Sequence, residues 1–233
     1  MATETAVAEE HDTDHGHHGD HPPHVKHYFV SSEQQFDASK FGMWVFLITE
    51  ILLFAGLFVA YVVYRSWYPE SFAAASGTLD WPLGGLNTVI LLTSSLTVAL
   101  SIHFIQQDRV QAAMWNLSAT VMLGFGFMVV KYFEYTDKIA EGLLPAGFYD
   151  PSANYAFLTD FIAAEQFFSI YYVMTGLHGV HVVVGLGVLI WLVTRTWRGH
   201  FSSEYYTPIE NAGLYWHLVD IIWIFLFPLL YLI

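Results

Sequence analysis

Beyond residue 40 the chain reads as long apolar runs broken by short polar interruptions, without the single-residue alternation of a β-strand. Five runs stand out, at 41–64, 83–105, 112–133, 161–193 and 212–233. Each reaches the roughly 20 residues that a helix needs to cross a hydrocarbon core at about 1.5 Å per residue. Helices satisfy their own backbone in lipid, whereas a closed barrel needs at least about eight short alternating strands. The pattern therefore predicts an all-α, polytopic membrane protein, a bundle of five transmembrane helices. The connections fall at 66–82, 106–111, 134–160 and 195–211. The second is so tight that the helices on either side of it must be neighbours. Residues 1–39 have a different character and are read as a disordered tail, leaving 40–233 as the membrane domain.

Composition agrees. Only 12% of the residues are charged and 55% are hydrophobic, whereas a soluble domain carries about 25% charged residues. The formal net charge of -13 says little about the membrane part, because much of the acid lies in the tail. No basic patch is present to neutralise phosphates, which argues against a nucleic-acid partner. There is no cysteine, hence no disulfide, thiolate nucleophile or Cys-ligated metal. The first ten residues are acidic, with no cationic start or apolar run, so insertion is expected to use the first internal span. Seven of the twelve histidines lie in the tail, among acids and the breaker Pro22-Pro23. Such a stretch can hold Zn²⁺ or Cu²⁺ weakly, but a solvated tail is the simpler expectation. Lys26, Lys40, Arg109, Arg195 and Arg198 fall on one side of the five spans, and Arg65, Lys131 and Lys138 on the other. The bias places the tail inside and the C-terminus outside.

A few polar residues interrupt the spans. Glu50 lies about ten residues into the first, where a carboxylate costs about 2.5–3.5 kcal/mol on insertion scales. It is either a proton-active acid or a hydrogen-bonded acid that fixes packing. His178 and His181, three apart, are expected on one helix face, as metal or haem ligands or as imidazoles bonded across helices. His217 and Asp220 have the same spacing and could form an internal imidazole–carboxylate pair. Glu134, Glu165 and His103 lie near predicted helix ends, where water is within reach.

Four segments together carry a resemblance. FGMWVFLITEILLFAGLF at 41–58 is similar to the helix of haem-copper oxidase subunit III that bears a buried, carbodiimide-reactive glutamate. LNT at 86–88, with LLTSS at 91–95, resembles the start of the next helix of that family. TGLHGVHVVVG at 175–185 and YWHLVDIIW at 215–223 resemble its Gly-x-His-Gly-x-His-Val and Trp-His-x-x-Asp-x-x-Trp segments. Order and spacing agree from residue 41 to the end. The resemblance implies an accessory subunit that binds no haem or copper and sits beside catalytic subunit I, with subunit II in the same complex. It implies support of proton uptake, protection of the enzyme during turnover, and retention of phospholipid from the surrounding membrane lipids. It also places the chain in a bacterial inner membrane with a cytoplasmic N-terminus. By the match Glu50 is the buried acid, and Arg195 falls where the family touches a lipid head group. The mitochondrial form has two further helices before these five. Glutamate at position 50 fits the cytochrome c form rather than the quinol form. A nitric-oxide-reductase-associated relative stays open, as does a five-helix cytochrome b using His103, His178, His181 and His217. A transporter or channel is disfavoured by how few polar residues the second and third spans contain.

Overall fold

A computed structural model describes residues 31–233. The chain divides into a unit of residues 1–38 and a unit of residues 39–233. Helices α1 (Ser32–Trp67), α3 (Trp81–Gln106), α4 (Val110–Ala140), α5 (Ala164–Trp197) and α6 (Thr207–Tyr231) are each long and apolar enough to cross a membrane. A short helix, α2 (Pro69–Ser76), and two 3₁₀ turns, Ala146–Phe148 and Ala153–Asp160, complete the described elements.

Two boundaries differ from the sequence expectation for identifiable reasons. Helix α1 starts at Ser32, inside the segment assigned to the tail. The Ser31 hydroxyl accepts the Gln34 backbone N–H at 3.1 Å, and Ser-x-x-Gln is a helix-start signature. The histidine-rich stretch of the tail lies outside the described residues. The 66–82 connection is itself helical at α2. Pro69 occupies the first turn, where its fixed φ and missing N–H cost nothing. Phe72, Ala75 and Ser76 face inward.

Apolar side chains fill the interior and also cover much of the outside. Leu52, Met122, Val129 and Val180 are 53–74% exposed, while Asn87, Ser94, Ser101, Thr120, Lys131, Glu134 and Asp220 are buried. Lipid solvates the first set; of the second, Ser94, Thr120, Lys131 and Glu134 are bonded to other side chains. Helices α3 and α4 pair tightly across the 106–111 turn, as the sequence predicts, with Thr97 and Thr120 sharing a 2.8 Å hydroxyl contact. Asp108 takes a left-handed φ of 57° in that turn. Its carboxylate accepts the Ser203 backbone N–H at 3.0 Å and the Ser203 hydroxyl at 2.8 Å. These bonds, the backbone one foremost, hold its pKa below the usual carboxylate range. They also tie the α3–α4 turn to the α5–α6 loop. At the bundle centre Gly124 and Gly185 let α4 and α5 close onto the Trp216 indole of α6.

Helix α1 meets the others through long side chains. Phe46 packs on Tyr215, Phe54 on His181 and Phe58 on Phe225, with centroids 5.2–6.5 Å apart. The Tyr61 hydroxyl donates to the Leu229 carbonyl. Toward the start of the membrane unit, Lys40 and Glu210 pair at 2.6 Å. The opposite face of α1, with Trp44, Ile48, Leu52 and Val59, is exposed.

Candidate functional site

The acid near the middle of α1 has a partner that spacing could not reveal. Glu50 Oε2 lies 2.8 Å from Nε2 of His181 on α5. The other ring nitrogen, Nδ1, lies 2.8 Å from the Leu177 carbonyl. A carbonyl can only accept, so Nδ1 carries a hydrogen. One further proton then occupies the Glu50–His181 contact. On Oε2 it makes a neutral pair, and on Nε2 it makes an ion pair, with the heavy atoms unmoved. Both side chains are about 15% exposed, so the pair is sheltered but not sealed. Phe54 packs edge-on against the imidazole, and the Tyr215 hydroxyl donates to the His181 carbonyl at 3.0 Å.

His178 does not join this pair, although it was expected on the same face as His181. Residues three apart on an α-helix differ by about 60° in direction. Here that angle divides two neighbourhoods: His181 turns to α1, and His178 turns into the bundle between Phe127 and Trp223, at 5.6 and 5.4 Å. His178 is fully buried, and neither ring nitrogen has a hydrogen-bond partner. The expected His217–Asp220 pair is also not formed. His217 Nδ1 contacts the Ser95 hydroxyl on α3 at 2.6 Å instead. Asp220 is 2% exposed with both oxygens unpartnered, and Ser95 is the hydroxyl nearby. His103 contacts Gln107 at 3.0 Å at an exposed position. Arg195 is exposed in the last turn of α5, its guanidinium 5.1 Å from the centroid of the Trp191 ring.

Sequence reading missed the most highly connected charge among the described residues. The third run was expected to end at residue 133, with Glu134 at its watery edge. Helix α4 continues to Ala140, and Glu134 is buried. Lys131 donates to Glu134 Oε2 at 3.0 Å, to Tyr171 at 3.1 Å and to Tyr231 at 2.9 Å. An ammonium has three donors, so all are used. Glu134 Oε1 accepts from Tyr171 at 2.7 Å and from Tyr231. The rings of Tyr135, Tyr171, Trp223 and Tyr231 surround the ammonium at 5.0–5.6 Å. Two turns on from Lys131, Lys138 pairs with Glu141 at 2.7 Å, and Tyr155 donates to the same carboxylate at 3.2 Å. The available signal was a lysine inside an apolar run with a glutamate three residues later, a pair that meets on one helix face.

Comparison with known proteins bears on residues 27–233. The family described as cytochrome c oxidase subunit III matches residues 27–153 and 151–233. The cytochrome c oxidase subunit 3 of Synechocystis sp. is 33% identical over 221 residues, covering 94% of this chain and 79% of the relative. That of Thermostichus vulcanus is 32% identical over 193 residues, covering 82% of this chain and 86% of the relative. A heme-copper oxidase subunit I+III from Aeropyrum pernix is 27% identical over 219 residues, covering 91% of this chain and 24% of the relative. The four motif segments, the five apolar helices and these matches agree. The chain belongs to the cytochrome c oxidase subunit III family.

Proposed function

We propose that the chain acts as the accessory third subunit of a haem-copper terminal oxidase, binding no redox centre of its own, and that its Glu50–His181 pair supports proton uptake into the catalytic subunit. The 2.8 Å contact between an acid and an imidazole on two facing helices carries this reading. Within such a pair a proton passes between oxygen and nitrogen without moving heavy atoms, which suits a group that supports proton transfer near mid-membrane. Association with subunit I is supported by the Aeropyrum relative, whose name joins subunits I and III in one chain. The exposed apolar face of α1 is available to a membrane neighbour. In the assembled oxidase, Glu50→Gln keeps the shape but removes the titrating oxygen. It is expected to lower sustained proton pumping or turnover lifetime by about twofold or more, the scale on which residues that couple sites act. Unchanged pumping and lifetime would reduce Glu50 to a packing residue.

The orientation we propose has the N-terminus in the cytoplasm of a bacterium and the C-terminus on the outer side of its inner membrane. Lys131 is enclosed by the bundle and does not count as a loop charge. The basic excess then favours the tail side more clearly, with Lys40, Arg109, Arg195 and Arg198 against Arg65 and the paired Lys138. Arg195 is proposed to hold a phospholipid head group. It is exposed beside the exposed Trp191, at the end of a span where aromatic and cationic side chains meet head groups. Arg195→Ala should lower the phospholipid retained through purification of the complex, measured by phosphorus per haem. Equal retention would remove the assignment.

A further inference from the structure

Helices α4 and α5 do not close on each other along their whole length. Toward the C-terminal end of α4 an open groove of about 570 Å³ runs between them. Phe127, Lys131, Tyr135 and Ile139 recur along its α4 wall, and Gly176, Gly179 and Val183 along its α5 floor. Those are the three- and four-residue steps of one helix face. Gly124 and Gly185 have a reason inside the chain, because a Cβ on either would strike Trp216. The groove glycines have no such reason. A Cβ on Gly176 would meet only the Tyr135 hydroxyl, 4.0 Å away, and one on Gly179 would meet nothing within 4 Å. Their smallness keeps the groove deep rather than bringing two helices together.

Size and chemistry select the occupant. Phe127 to Ile139 covers about 18 Å at 1.5 Å per residue, close to one leaflet of a hydrocarbon core about 30 Å thick. Spread over that length, a volume of about 570 Å³ gives a channel about 6 Å across, whereas a helix with its side chains is about 10–12 Å across. A single hydrocarbon chain enters such a channel, and a partner helix does not. The lining also changes along the groove. Met128, Val183 and Val184 make one end apolar, while Tyr132, Tyr135 and Thr136 bring hydroxyls to the other. That second end lies where the apolar run 112–133 stops, at the depth of the membrane interface. The Tyr132 side chain is exposed there, and a phenol donates to ester or phosphate oxygens. Lys131 reaches the wall, but its three donors are already taken.

We propose that this groove binds a phospholipid from the leaflet at the C-terminal end of α4. One acyl chain lies over Gly176 and Gly179, and the glycerol ester region meets Tyr132 and Thr136. The site is separate from the one proposed at Arg195. Arg195 is in the last turn of α5, at the opposite membrane face, and its direction from the helix axis differs from that of Gly179 by about 160°.

The test is the phospholipid retained by the assembled oxidase through detergent purification, read as phosphorus per haem and by native mass spectrometry. The parent is compared with Gly179→Leu, Arg195→Ala and the double variant. Leucine at 179 grows into open space and is a better helix former than glycine, so it should fill the groove without moving α4 or α5. Gly179→Leu is expected to retain one phospholipid fewer than the parent, and the double variant to lose that lipid in addition to any that Arg195→Ala loses. Equal retention in Gly179→Leu and the parent would overturn the proposal. So would a double variant that loses no more than Arg195→Ala alone. Density for the parent complex decides independently of whether Gly179→Leu assembles. A lipid with one chain over Gly179 is expected. A helix of another subunit, an isoprenoid tail, or lipid no better ordered there than on the outer face of α1 would sink the assignment.

Discussion

Replacing Lys131 with methionine should destabilise the subunit by about 3–5 kcal/mol, the usual cost of removing one partner from a buried ion pair. The geometry gives the reason. Glu134 takes its hydrogen bonds from Lys131, Tyr171 and Tyr231, and the aromatic rings around the ammonium leave Lys131 only 6% exposed. Without the ammonium, two hydroxyls remain to serve a buried carboxylate. Glu134→Gln removes the other partner and strands the cation, so a loss of similar size is expected. The double variant Lys131→Met with Glu134→Gln removes both charges together. It should recover most of the loss, because replacing a whole buried pair with uncharged groups is often close to neutral. Detergent-to-denaturant titration of each purified variant measures the midpoints. A double variant as unstable as the two single losses added together would show that the charges act independently. The affected place is also identifiable: Tyr231 is the last residue of α6, so unpairing Lys131 should free that end of the helix before the rest of the bundle.

The number of spans and the tight α3–α4 pairing were legible because each is a property of a continuous stretch. Twenty apolar residues need a bilayer wherever their neighbours are, and a six-residue polar turn leaves its helices no choice of partner. Glu50 was legible as a residue out of place, since a mid-span carboxyl has an energetic cost that any reader of the sequence can see. Its partner was not, because His181 is 131 residues away and the spacing to His178 gave a competing explanation. Position three apart on a helix constrains direction to about 60°. That tolerance is enough to send His178 into the bundle and His181 to α1, and to give His217 to Ser95 instead of Asp220. The extension of α4 was hidden for a related reason. The hydropathy reading ended this span at its first acid, but Lys131 and Glu134 are held by tyrosines and by each other, and Lys138 by Glu141, not by water.

The second large effect is expected at Trp216. Trp216→Ala should cost about 3–5 kcal/mol, as for other large core aromatics. The indole is fully buried and donates from Nε1 to Ser94 at 2.9 Å. Its position is set by two glycines. A Cβ built on Gly124 would lie 2.9 Å from Trp216 Cη2, and one on Gly185 would lie 2.8 Å from two ring atoms. Helices in lipid gain little from hiding apolar surface, since the solvent is itself apolar, so contact of this closeness supplies the association energy. Truncation therefore leaves a void that lipid cannot enter and loses the dispersion contacts of its lining. Trp216→Phe separates the parts: it keeps most of the ring and forfeits the Ser94 bond, worth about 1 kcal/mol. Gly185→Ala approaches the same contact from the other side and should cost about 1–3 kcal/mol through overpacking, with α5 forced away from α6. Because α5 also carries His181, that displacement should lengthen the Glu50 contact, so Gly185→Ala should disturb proton support as well as stability. A Trp216→Ala midpoint within about 1 kcal/mol of the parent would mean that the bundle repacks around the void, and that the two glycines owe their place to something other than the indole.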